Sequence, residues 1–410
     1  MSENVPQDGA GLQSVDQTTA GVARRGFLVG GAAAAATAAT VAAATPAAAA
    51  PTGNDPYRFP GKAELKFKKN GTFRIVQFND TQDDERIDPR TLELMRAVLD
   101  DKKPDFVILD GDNITGGVDT VLEAKQAINN VIQPMEERKI PFAVTFGNHD
   151  EDSTEVNGYD EADQLAFYRS YKYNYNPPTA KGVTGQGNSY VLINGRNGRT
   201  PRFNLWLLDS GRYAPSSIDG QNFEGYPTWD WLRADQVDWY YQASSDLEKK
   251  YRRKIPGLLF IHIPLWEYRF MWFGSTDGRT EADHARGVER HGIVGERNED
   301  ECPGPFNSGL FNAIQTRGDV KGVFCGHDHV NTYVGNYYGV LLGYAGNTGF
   351  GTYGLSGDEQ HRLRGARVYE LDENVDGVLK ETYMVWASDY GIDLTPGYQN
   401  VDPLPLPRGK

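Results

Sequence analysis

Apolar residues fall along this chain in short runs with two distinct periods. Residues 73–78 alternate as a half-buried strand does, and residues 104–109, 140–146, 258–261 and 320–325 are near-continuous apolar runs of buried-strand length. Between the first three, residues 89–99 repeat with a helical period through Leu92, Met95 and Leu99, and a second helical pattern spans roughly 118–138. Strand, helix, strand, helix, strand at this spacing predicts stacked βαβ units and a largely parallel sheet. In such sheets ligands bind beyond the carboxyl ends of the strands.

Further on, residues 163–169 predict a short helix, and 189–193 with 203–208 a hairpin around a Gly/Arg/Asn turn. Residues 233–253 predict an amphipathic helix with Val237, Tyr240, Tyr241 and Leu247 inward. Residues 267–301 are polar and lack a clear period, which predicts a functional loop or partial lid. Short strands are expected near 332–334, 339–342, 366–371 and 382–386, and the Pro-rich stretch after Tyr390 as a loosely ordered tail.

Net charge is −14, which argues against nucleic-acid binding through a basic face. A small anionic substrate then needs locally concentrated positive charge, such as a metal centre. The only cysteines, Cys302 and Cys325, exclude a disulfide scaffold and leave one bridge open. Arg24-Arg25 followed by Phe27-Leu28 and an Ala/Gly/Thr-rich run to Ala50 has the layout of a signal peptide of the twin-arginine type. The run is too mild for stable membrane insertion. The expected organisation is a leader over 1–50, read by the twin-arginine export machinery through residues 24–28, a catalytic domain over 51–390 and the tail over 391–410. A secreted or cell-envelope location follows.

The strand ends carry the candidate chemistry. In order they deliver Asp80 with Gln82, Asp112, Asn148 with His149, His262, and His327 with His329. Four of the seven histidines thus follow apolar runs directly, which random placement would not produce. Carboxylates and neutral imidazoles, with amide oxygens as weaker additions, are ligands that borderline metal ions prefer. Two ions sharing Asp112 could clamp a phosphate and ionise a water between them.

Gly111-Asp112, Gly147-Asn148-His149-Asp150, His262 and Gly326-His327-Asp328-His329 occur in the order that the calcineurin-like metallophosphoesterases use, and residues 73 to 385 resemble that family. The resemblance implies a four-layer α-β-β-α sandwich with two mixed sheets and a dinuclear site at the strand C-terminal ends. It implies one ion on Asp80, Gln82, Asp112 and His329, and a second on Asp112, Asn148, His262 and His327. Iron, manganese, zinc or calcium are the candidate ions, and a small phosphomonoester or phosphodiester the substrate, attacked by a hydroxide held between the ions. His149 would stabilise the phosphoryl oxygens or protonate the leaving group, with Asp150 orienting it and Asp328 in a supporting role. The Gly-His-Asp-His spelling resembles a purple-acid-phosphatase-like branch, but Thr115 stands where that branch has a metal-bound tyrosine. Gln82 stands where the family usually has histidine, which predicts a weaker, oxygen-preferring first site. It also keeps open a non-catalytic phosphate-binding protein with a single ion.

Other residues carry plainer readings. Tyr226, Trp229, Trp231, Trp239 and Tyr240 read as packing for the long helix or as the floor of a substrate pocket. His284, His291 and His361 read as surface-loop residues, and Arg269, Arg279, Arg286 and Arg290 as a solvated face that could otherwise meet a second phosphate.

Overall fold

The computed structural model describes residues 59 and 62–410; the leader predicted over 1–50 lies outside them. Strand β1 (Thr72–Phe78) leads through α1 (Pro89–Lys102) to β2 (Phe106–Asp110), then through α2 (Val121–Arg138) to β3 (Phe142–Thr145). The helix starts are written locally. Asp88 caps α1 ahead of Pro89, and Thr120 with Glu123 forms a capping box on α2. Two short helices, α3 (Thr154–Asn157) and α4 (Glu161–Arg169), precede the hairpin of β4 (Ser189–Asn194) and β5 (Pro201–Leu207). A small ribbon of β6 (Ser217–Ile218) and β7 (Gln221–Asn222) then leads to the long helix α5 (Ala234–Tyr251) and β8 (Gly257–Phe260). Helices α6 (Trp266–Phe273), α7 (Glu281–His291) and α8 (Leu310–Arg317) separate β8 from β9 (Val320–Cys325). The chain closes with β10 (Val334–Tyr337), β11 (Val340–Tyr344), β12 (Gly365–Asp372) and β13 (Leu379–Trp386).

The strands form two mixed sheets, ordered β13-β12-β1-β2-β3 and β10-β11-β9-β8-β5-β4. Strands β1, β2 and β3 run parallel in the first, and β5, β8, β9 and β11 in the second. Alternation along each strand then builds four layers. On β1, Phe73 and Ile75 face the second sheet and join Phe203, Leu205, Leu258, Phe260 and Phe324. Val76 and Phe78 point the other way, onto α1 and α2 through Leu92, Met95, Ile128 and Val131. The outer face of the second sheet is covered by α5, α6 and α8 through Tyr240, Tyr268, Met271 and Ile314. The architecture is the expected α-β-β-α sandwich, and it aims the carboxyl ends of both parallel sets at one place.

Residues 267–301 are loop only in part: 274–280 and 292–301 are irregular, whereas most of α6 and all of α7 fall in this range as helix, with Thr280 and Asp283 capping α7 and the His284 ring stacked on Trp272 at 3.8 Å. Only Ala282, Ala285 and Val288 are apolar side chains on α7, and only Gly287 and His291 are buried, so little in the sequence marks it as packed. The tail after Tyr390 is also tied down. The buried Arg90 guanidinium pairs with Asp88 and donates to the carbonyls of Asp393, Thr395 and Gly397, while Leu404 and Leu406 pack on the first core. On α5 the inward face carries Gln236, Tyr240, Ser244 and Leu247, with Val237 and Tyr241 at its edge.

His291 and His361 are buried rather than on surface loops. Arg279, Arg286 and Arg290 are occupied by local partners: the Gly278 carbonyl, Asp283 and the Gly274 carbonyl respectively. Cys302 and Cys325 are not bridged. Cys325 ends β9 inside the second core, whereas Cys302 sits on a loop with its thiol toward the Asp300 carbonyl.

Candidate metal centre

The strand ends reverse sharply at the candidate ligands. Asp80 (φ 50°), Gln82 (φ 29°), Asp112 (φ 46°) and His327 (φ 73°) have left-handed backbone, where L side chains are strained. The reversals are held by main-chain bonds from the Asp80 amide to Gly111 O at 3.2 Å and from the Gln82 amide to Asp112 O at 2.9 Å. The glycine before each motif has a steric cause. A Cβ on Gly111 would lie 2.5 Å from His262 Nδ1, one on Gly147 2.7 Å from His262 Cδ2, and one on Gly326 2.7 Å from Asp80 Oδ2.

Two donor groups result, Asp112 with His262 and His327, and Asp80 with Asp112 and His329, the donor atoms of each within 4.8 Å of one another. Asp112 belongs to both. His262 Nε2 lies 3.0 Å from Asp112 Oδ2 and 3.8 Å from Asp80 Oδ1, and His329 Nε2 lies 3.4 Å from Asp80 Oδ1. The carboxylates are aimed by main-chain donors: the His327 amide reaches Asp80 Oδ1 at 3.2 Å and the His149 amide Asp112 Oδ1 at 2.8 Å.

The imidazoles are oriented from behind. His262 Nδ1 lies 3.0 Å from the Asp110 carbonyl, which can only accept, so that nitrogen carries its hydrogen and Nε2 faces the cluster. His329 Nδ1 faces the Tyr353 carbonyl at 3.4 Å while its ring stacks on Tyr353 at 4.0 Å. Burial costs His262 its charge, but Asp112 and then Asp80 outweigh that and raise it to about 10. The proton they draw onto Nε2 and a cation compete for the same lone pair. Burial, reinforced by His262, holds His327 well below the usual histidine range, so it is a neutral donor.

The fit to cations rests on the unpartnered atoms. His327 Nε2 and Asn148 Oδ1 are buried with no hydrogen-bond partner among the described residues, and His262 Nε2 faces only the carboxylates of Asp112 and Asp80. Leaving such groups unsatisfied costs on the order of 1–3 kcal/mol each. All three carry lone pairs that a divalent ion accepts.

His149 stands at the rim. Its Nδ1 lies 2.5 Å from Asp152 Oδ2; burial alone would lower its pKa, and the Asp152 bond followed by the Asp112 charge raises it above the ordinary value. Asp152 is itself held by the Tyr213 hydroxyl and Arg212 Nη2, each at 3.0 Å from Oδ1, and Arg212 Nε donates to the Asn148 carbonyl at 3.1 Å. Trp229 meets His327 edge to face at 4.5 Å and packs on Tyr213 at 5.7 Å.

A sequence model described as calcineurin-like phosphoesterase matches residues 73–331. This chain belongs to that family. Among its curated relatives, "Probable inactive purple acid phosphatase 29" of Arabidopsis thaliana is 33% identical, over 76% of this chain and 80% of its own length. "Probable inactive purple acid phosphatase 14" of the same plant is 31% identical, over 72% and 75%. "Phosphatase DCR2" of Saccharomyces cerevisiae is 27% identical, over 78% of this chain and 54% of its own length.

Within this family member the two overlapping donor groups bring together Asp80, Asp112, His262, His327 and His329, and Asn148 is buried as well. Gln82 is also buried, but its Oε1 accepts from Thr352 Oγ1 at 3.0 Å. Two roles expected from the sequence change. Asp150 does not orient His149: its carboxylate accepts from the amides of Gly147, Asn113 and Ile114 at 2.8, 2.9 and 3.2 Å, tying the loops after β2 and β3 together. Asp152 does the orienting, because the turn at 150–153 returns it to the His149 ring. Asp328 accepts from the Tyr344 hydroxyl at 2.5 Å and the Cys302 amide at 3.3 Å, so it anchors its loop to β11.

The aromatic cluster divides: Trp239 and Tyr240 pack on Trp206 in the core, whereas Trp229 walls the metal centre. Sequence reasoning missed Asp152, Arg212, Tyr213, Thr352 and Tyr353. The signal for Arg212 and Tyr213 was present, since they follow β5, one more strand of the parallel set.

Proposed function

We propose that this phosphoesterase hydrolyses phosphate monoesters or diesters at a two-ion centre. The observation that carries this reading is the pair of buried donor groups sharing Asp112, with His327 Nε2 buried and unpartnered among the described residues. Asp80, Asp112 and His329, with Gln82 alongside, would hold one ion; Asp112, Asn148, His262 and His327 would hold the other. Bound there, divalent ions supply the Lewis acidity that neutralises phosphoryl oxygens and ionises water. His149, kept protonated by Asp152, donates its Nε2 hydrogen to the ester oxygen as the P–O bond breaks, so the alcohol leaves neutral. Arg212 and Tyr213 hold Asp152 in place for that transfer. The amide oxygen of Gln82 favours manganese, iron or calcium in the first site over zinc.

A second reading has one observation behind it. Gln82 replaces an imidazole and its oxygen is already engaged by Thr352, which favours a single-ion, non-catalytic phosphate binder. The word "inactive" in the names of two relatives fits that reading. Assay of the manganese-loaded protein with p-nitrophenyl phosphate and its bis-ester separates the two. Metal-dependent release supports the hydrolase, and release no higher than the blank supports the binder. Export by the twin-arginine route is part of the proposal. It is checked by whether Arg24→Lys with Arg25→Lys retains the protein inside the producing cell.

A further inference from the structure

A chain of aromatic rings leads from the metal centre to a cleft that the chemistry above does not use. Trp229, on His327, is two residues from Trp231, a separation of about 7 Å along extended backbone. The Trp231 ring meets Phe306 at 4.9 Å and Phe223 at 6.5 Å. Next to these rings the β6–β7 ribbon and the 305–306 segment enclose a cleft of about 310 Å³, lined on its apolar side by Ile218, Phe223, Tyr226, Pro305 and Phe306. Tyr226 is 69% exposed, Phe306 49% and Ile218 40%. Large apolar groups left open to water side by side mark a binding surface more often than packing. The size is that of a small-molecule site, and its polar groups are few.

Charge selects the occupant. Among the described residues no Lys or Arg lines the cleft and Asp219 is the one charged residue in its wall, so a second phosphate or an anionic polymer would be repelled. The metal centre takes the phosphoryl group, and the rest of the ester is offered a path past Trp229, on His327, and Trp231, on Phe306, into the cleft.

We propose that the cleft binds the alcohol portion of the substrate and selects phosphate esters of flat aromatic alcohols. This rests on the phosphoester reading above. Tyr226 and Phe306 are then specificity residues that touch the leaving group, with Trp229 forming the passage between cleft and centre.

The test uses two non-hydrolysable probes on the full-length, manganese-loaded protein: 2-naphthylmethylphosphonate and ethylphosphonate, titrated calorimetrically. The naphthyl probe is expected to bind at least about tenfold more tightly than the ethyl probe, given aromatic contacts worth roughly 0.5–1.5 kcal/mol each beyond area burial. Phe306→Ala and Tyr226→Ala should each reduce that ratio about three- to tenfold. Both side chains are exposed, Phe306 to about half and Tyr226 to more, so neither substitution removes a core group. Equal binding of the two probes, or a ratio unmoved by both substitutions, overturns the cleft assignment and leaves the phosphate centre standing. If neither probe binds while manganese is taken up, the phosphoester reading itself fails and the cleft assignment with it.

Discussion

Gly147→Ala adds one methyl group at the point where the loops after β2, β3 and β8 meet. The new Cβ would lie 2.5 Å from the Asp112 amide nitrogen and 2.7 Å from His262 Cδ2. Ordinary carbon contacts begin near 3.5 Å, so something must move by about 1 Å. The Asp112 amide cannot swing aside as a long side chain could, so the displacement falls on Asp112 and His262, one of which serves both proposed ions. Metal–ligand distances tolerate only about 0.2 Å. The fold has slack that the metal site lacks, because overpacking a core site costs about 1–3 kcal/mol. The expected result is therefore a protein that still unfolds cooperatively, with a modestly lowered Tm, but binds fewer than two ions per chain. Elemental analysis after dialysis against manganese counts the ions, and circular dichroism follows the fold. Two tightly held ions in the Gly147→Ala protein would refute the reasoning, since the ligands would then not depend on this packing.

Gln82→His restores an imidazole to the first site and should tighten its ion by about 10- to 100-fold, the range in which altered coordination support moves affinity; a manganese titration read by electron paramagnetic resonance measures it. Asp152→Asn keeps the shape but releases His149 from its carboxylate, and kcat should fall about 10- to 100-fold with KM nearly unchanged, as expected for a lost positioning role in acid catalysis. His361 accepts from Arg364 Nε at 3.1 Å and faces the Gly397 carbonyl at 3.2 Å; burial, then the Arg364 charge, lowers its pKa to about 4. The unfolded chain takes up that proton near pH 6.5 and the folded chain only near 4, so stability is full above about 6.5 and declines as the pH falls toward 4. Urea midpoints should drop over that window in the native protein, and His361→Gln should flatten the decline.

Much of the site was readable along the chain because parallel strands announce their own ends. An apolar run followed at once by Asp112, by Asn148-His149, by His262 or by His327 places those side chains beyond the sheet wherever the strand lies. The near-continuous apolar strands indicated a largely parallel sheet covered on both faces, while the second sheet and the four layers were expected only from the family resemblance. Much of 267–301 escaped because α7 is short and holds only Ala282, Ala285 and Val288 as apolar side chains, too few and too small to stand out as a core-facing stripe.

By itself the sequence determined which residues end each strand, and hence the candidate donors and the glycine before each motif, since these follow from local period and local sterics. Only the tertiary structure decided which carboxylate orients His149, which tryptophan walls the centre and where the last twenty residues go. Those choices depend on loops meeting across sixty or three hundred positions, as Tyr213 meets Asp152 and Arg90 grips Gly397. No period along the chain records a contact of that kind, because it exists only once both sheets have folded and brought their edges into register.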